Sequence, residues 1–171
     1  MKLKMDTSSL IYAVKIGIMD LIFKLFDDVI ISHGVAIEAT KTRGKPDADH
    51  IWKLIKNRKI RAIEADPIDS ESLGLGERTI ISLALRENPE DYLLILDDRR
   101  ARVLAGIIGI DSVPLYSILF IALNKKIIDL TNAKRILIDL EKIAGYPKER
   151  IIEISKTLEL IYGEKHESNN N

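Results

Sequence analysis

Cysteine is absent from all 171 residues, which excludes disulfides and thiolate-held metals. Any metal site must therefore use oxygen or imidazole ligands. Histidine is scarce too: His33, His50 and His166 have no spacing suited to zinc. Aromatics make up only 5% of the chain, so the core has to be built from isoleucine and leucine. No apolar run approaches the roughly 18 to 20 residues that cross a bilayer, which excludes a membrane span. Lys2, Lys4 and Asp6 interrupt the N-terminus, so it does not read as a secretory signal. A dominant sign of charge is missing as well, because 26 basic residues balance 26 acidic ones. That argues against strong non-specific nucleic-acid binding, and RNA as a substrate would have to meet local basic patches. A soluble, cytoplasmic chain is expected.

What is present alternates. Short apolar runs at Lys2–Asp6, Val29–Ser32, Lys59–Glu64 and Tyr92–Leu96 read as strands, with a very short fifth at Ser112–Val113. Helical stretches separate them: one capped by Ser8 or Ser9 and running to Val14, then Ile18–Leu25, Gly34–Thr42, Ala48–Asn57, Glu77–Glu87, Arg99–Ile108 and Pro114–Asn124. The segment Asp66–Gly76 reads as a loop. The pattern implies a three-layer α/β/α domain over residues 1–130, with a mainly parallel sheet of about five strands and Tyr92–Leu96 at its centre. Beyond it, Thr131–Ile143 and Lys148–Tyr162 read as amphipathic helices of a C-terminal extension over 131–163, and residues 164–171 as a disordered polar tail.

Acidic residues are common, so their positions matter more than their number. Asp6 ends the first strand and Asp97–Asp98 end the fourth. In open parallel sheets, sites form outside the carboxyl ends of strands. Glu77 opens a helix just after Gly74–Leu75–Gly76, where the helix dipole favours a carboxylate and the glycines allow close approach. Glu38 lies on the helix after the second strand. Converging carboxylates repel one another, and a cation must neutralise them. With oxygen ligands alone, the expected ion is Mg²⁺ or Mn²⁺, which points to phosphate chemistry. Each residue also has an ordinary use: Asp6 and Asp97–Asp98 as helix caps, Glu77 as a dipole partner, Glu38 as a solvated side chain.

The stretch from Asp6 through Thr7, Ser8, Ser9, Leu10 and Ile11 resembles the opening motif of PIN domains, and Ile37-Glu38-Ala39 their second acidic motif. Leu75-Gly76-Glu77-Arg78-Thr79-Ile80 is similar to the third motif of a branch related to VapC-type toxins, and Leu96-Asp97-Asp98-Arg99-Arg100-Ala101-Arg102 to its fourth. The resemblance covers about Lys2–Leu130. It implies a metal-dependent ribonuclease, often the toxin of a toxin–antitoxin pair, with Asp6, Glu38, Glu77 and Asp98 as catalytic acids. Asp6, Glu77 and Asp98, with Asp97 as alternative or assistant, would hold Mg²⁺ or Mn²⁺, and Ser8, Arg99 and Arg100 would meet the RNA. Leu96 and Val113-Pro114-Leu115 stand where many relatives carry hydroxyl residues. The alternative is therefore a PIN fold kept as a nucleic-acid or protein-binding module.

Two basic stretches, Lys41–Arg43–Lys45 and Lys53–Lys56–Arg58–Lys59–Arg61, are candidate RNA tracks or solvated faces. His33 is read as structural and Trp52 as a core residue. The C-terminal helices carry apolar stripes, Ala133, Ile136, Leu137, Leu140 and Ile143 on one, and Ile151, Ile154, Leu158 and Ile161 on the other. Those stripes cover the chain's own helices or form a homodimer, and an antitoxin is the further partner expected.

Overall fold

A computed structural model describes residues 1–163; the expected disordered tail, 164–171, lies outside the described residues. The chain separates into two compact units, Met1–Leu115 and a second from Tyr116 onward.

The first unit is built on four parallel strands, β1 (Lys2–Met5), β2 (Asp28–Ser32), β3 (Arg61–Ile63) and β4 (Tyr92–Ile95), in the order β3-β2-β1-β4. Flanking helices complete the α/β/α architecture: α1 (Thr7–Lys15), α2 (Met19–Leu25), α3 (His33–Thr40), α4 (Pro46–Lys56), α5 (Leu75–Leu85) and α6 (Arg99–Ile107). Two features differ from expectation. The fifth strand is a single bridge between Ile95 and Val113, because Pro114 follows at once and has no N–H to extend the ladder. And β4 is one of the two outer strands of the four, not a central one. Its apolar run reflects burial of Leu94, Ile95 and Leu96, not a central place in the sheet.

The order of strands sets up the site. From β1 the chain steps outward to β2 and β3, then crosses back to lay β4 on the other side of β1. The direction reverses between β1 and β4, and open α/β sheets place their crevice at such a reversal. Register aligns the two strand ends, with Met5 opposite Ile95 and the Asp6 amide donating to the Ile95 carbonyl at 3.1 Å. The residues just beyond, Asp6 and Asp97, therefore emerge side by side.

Helices in this unit start on short polar side chains. Asp6 accepts from the Ser9 amide at 2.8 Å, so Asp6 itself caps α1, and neither Ser8 nor Ser9 does. Ser32 caps α3 and Asp98 caps α6. Within β1, Lys4 is fully buried. Its ammonium donates to the Leu83 carbonyl at 3.2 Å, lies 3.2 Å from Glu87 Oε1 and sits 3.8 Å over the Tyr92 ring. A buried charge needs such a set of partners. Here they tie the C-terminal end of α5 to β1 and β4.

The second unit contains α7 (Ser117–Asn124), α8 (Leu130–Ala144) and α9 (Lys148–Tyr162). Asp129 caps α8 at its start, and Gly145 ends it in the left-handed conformation, φ +71°. α8 packs on both α7 and α9. Ala133, Ile136, Leu137 and Leu140 of α8 are buried, as are Ile151, Ile154 and Leu158 of α9, whereas Ile143 and Ile161 are exposed.

Candidate active site

Asp6 follows directly on β1, beside the end of β4. It is fully buried; one carboxylate oxygen takes the Ser9 amide and the other takes the Asp97 amide, at 2.9 Å. Burial pushes its carboxyl from 3.8 up to about 6. The Ser9 side chain and amide pull the other way, and the neighbouring Asp97 charge pushes it up further.

Asp97 and Asp98 take different parts. The Asp97 carboxylate accepts from the Leu115 amide at 3.0 Å, which anchors the segment just past the Val113 bridge. Arg102 reaches back from α6 to the carbonyls of Leu96 (2.6 Å) and Asp97 (2.8 Å), bracing this turn. Asp98 caps α6 through the amides of Arg100 (2.6 Å) and Ala101 (3.1 Å), and the Arg100 guanidinium lies 3.3 Å away. Partial burial pushes the Asp98 carboxyl up, but these amides and the guanidinium together hold it below the ordinary value.

Glu38 and Glu77 meet because α3 and α5 cross at glycines. A side chain at Gly76 would collide with Thr7 Oγ1 and Glu38 Oε2. One at Gly74 would lie 2.6 Å from Glu77 Oε2 and 3.3 Å from Glu38 Oε1. Both carboxylates thus crowd the same glycine. Thr7 donates its hydroxyl to Glu38 at 2.6 Å and so links the first helix to this pair. Half-burial pushes the Glu77 carboxyl up; its own amide and that of Gly74 oppose this, and the charges of Glu38 and Asp98 add to it. Two electrostatic neighbourhoods result, Asp6 with Asp97 and Glu77 with Glu38 and Asp98, joined through Thr7.

A family model described as a PIN domain matches residues 4–158. The chain belongs to the PIN-domain family. No curated protein matches it. Among solved structures it is similar to a PilT N-terminus domain protein from the hyperthermophilic archaeon Sulfolobus solfataricus P2. The two are 18% identical, the match covers 69% of this chain and 90% of that one, and the TM-score is 0.47.

The remaining residues singled out in this PIN domain lie outside the carboxylate cluster or at its rim. Ser8 is partly exposed on the first turn of α1. Arg99 and Arg100 line an open hollow with Val103, Leu104 and Ile107 on the outer side of α6. His33 pairs with Glu64 at 2.9 Å on the surface. Leu96 and Leu115 are buried. Thr7 is the site residue that the reading of acidic positions passed over, although it adjoins Asp6 in the first motif. Trp52 is exposed on α4, contrary to the core position expected for it. Among the described residues, no three His, Asp or Glu side chains are gathered closely enough to hold one ion. The donors are nonetheless all oxygen, and two of the carboxyls titrate high because they are buried beside like charge. That donor set fits a hard divalent cation, which would relieve the repulsion.

Proposed function

We propose that this PIN domain is a metal-dependent ribonuclease that hydrolyses RNA phosphodiesters, with residues 1–130 as the nuclease part and 131–163 as its helical extension. The observation that carries the reading is the gathering of carboxylates: buried Asp6 stands beside Asp97 where β1 and β4 end at the reversal of the sheet, and Glu38 and Glu77 both lie against Gly74. In this reading Asp6, Glu77 and Asp98, with Asp97 alongside, hold Mg²⁺ or Mn²⁺. The ion supplies Lewis-acid stabilisation of charge that develops on the phosphate. Glu38, fixed by the Thr7 hydroxyl through one oxygen, uses the other to orient the attacking water. Ser8, Arg99 and Arg100 meet the RNA backbone at the N-terminal ends of α1 and α6, where the positive end of the helix dipole favours phosphate.

The biological setting of the proposal is a cytoplasmic toxin of the VapC type, paired with an antitoxin and acting as a homodimer. Asp6→Asn should lower Mg²⁺- or Mn²⁺-dependent cleavage of single-stranded RNA by on the order of a hundredfold or more. It should also abolish the rise in Tm that Mn²⁺ produces by binding the folded state. Full cleavage by that variant would assign the activity elsewhere. A second reading, a PIN fold kept as a binding module, draws support from the local partners that already engage each carboxylate and from the buried Leu96 and Leu115. Mn²⁺ binding without any RNA cleavage would favour it.

A further inference from the structure

The sequence pattern placed Trp52 in the core, yet the ring lies on the exposed side of α4. Asp49, Trp52, Lys53 and Lys56 stand three and four residues apart and share one helix face, while Ala48 and Ile51 are buried on the other. Two cations lie over the ring. The Arg43 guanidinium lies 4.3 Å from its centroid and the Lys56 ammonium 4.9 Å. Arg43 comes from the turn before α4, and its position is fixed from a second side. Asp49 accepts from Arg43 Nε at 2.9 Å and from the Gly44 amide at 3.2 Å, and these two contacts hold the Asp49 carboxyl below its ordinary value, the Gly44 amide most. Half-exposed Arg43 is thus a planar cation already placed over an indole. Lys41, Lys45 and Lys53 are exposed around it.

We propose that this face of α4 and the turn before it form a second contact surface for single-stranded RNA, in which a base stacks on the Arg43–Trp52 pair and the flanking lysines hold the backbone. The inference rests on the ribonuclease reading above and extends the RNA beyond the carboxylate cluster. Three observations favour RNA. Bases stack on aromatic rings and on guanidinium planes alike, so this pair offers one a ready platform. The chain as a whole carries no net charge, so a polyanion needs a local cluster such as this one. The surface also follows directly on α3, whose Glu38 lies with Glu77 against Gly74, so a strand leaving the cluster along α3 meets the turn at Lys41 and Arg43.

Trp52 is the chain's one tryptophan, so its fluorescence reports this surface alone. The full chain is titrated in EDTA with a single-stranded RNA of about 12 nucleotides, a length that spans a stacking platform and its flanks. Saturable quenching that weakens as salt rises is expected. By anisotropy of labelled RNA, Trp52→Ala and Arg43→Ala should each raise Kd by about fivefold or more, the loss of roughly one stacked base. Trp52→Phe should recover part of the affinity. RNA cleavage with no quenching, or unchanged Kd in Trp52→Ala, would overturn this surface and leave the nuclease reading standing. Neither binding nor cleavage of RNA would overturn both. Equal quenching by polyglutamate would mean a general anion or acidic-protein surface, and would also overturn the proposal.

Discussion

Both carboxylate oxygens of Asp6 are occupied by amides, Ser9 from its own helix and Asp97 from across the sheet, and the group is fully enclosed. Its carboxyl titrates at about 6 in the folded chain against 3.8 when free, so between those values the folded state holds the extra proton. Stability from this group is complete below the unfolded value and is lost as pH rises through 6, a change of about 3 kcal/mol in all. Asp6→Asn removes the buried charge but turns an amide group toward one of the two N–H donors, at a loss of about 1–3 kcal/mol. In metal-free protein the variant should therefore be less stable than the wild type at about pH 5. That deficit should shrink by about 1 kcal/mol or more by about pH 7.5. Urea denaturation at the two pH values measures this, and a deficit equal at both would mean that Asp6 titrates normally. The positions of Asp6 and Asp98 at the starts of α1 and α6 were legible in the sequence, because a strand end followed by a helix is a recognisable place for an acid. The Thr7 partner was not, because nothing in spacing ties a hydroxyl at position 7 to a carboxylate at position 38. Trp52 was misplaced because an apolar ring next to Ile51 looks inward until Arg43, far from it in the helical pattern, supplies a reason to face out.

At the scale of elements, the crossing of α3 and α5 decides whether the acids meet. Gly34 also belongs to this crossing, since a side chain there would run into Thr79 and Leu75. Gly76→Ala should break the Thr7–Glu38 hydrogen bond and push the helices apart, destabilising the chain by about 1–3 kcal/mol. Mn²⁺ affinity should fall with it. Gly106→Ala is the control: it lies in α6 with open space around it, so it should stabilise by about 0.5–1 kcal/mol. Thermal denaturation of the two variants with and without Mn²⁺ measures both effects, and a neutral Gly76→Ala would remove the glycine crossing from the account. Most elements could be read from periodicity, because helices and strands bury different spacings of the same apolar residues. Strand order could not, since it depends on which way each crossover turns. The expected fifth strand failed for a local reason, the proline after Val113.

Across the whole molecule, the two compact units differ in what their helices cover. In the first, helices flank a sheet. In the second, α8 and α9 bury their apolar stripes while packing on each other. The stripes on these helices were one basis for expecting a homodimer, but Ile154 is only 4% exposed and Leu158 not at all within a single chain. A dimer, if it forms, must use other surfaces. Ile154→Glu would place an unpaired carboxylate inside this packing, which costs several kcal/mol or forces the helix out. The expected result is therefore loss of helical signal and a broader, expanded particle, not a folded species of half the mass. Leu160→Glu, on the exposed side of the same helix at 75% exposure, should change stability by no more than about 0.5 kcal/mol. Circular dichroism and size-exclusion chromatography with light scattering distinguish the outcomes. A folded Ile154→Glu chain with its mass halved relative to wild type would mean that α9 is an interface after all.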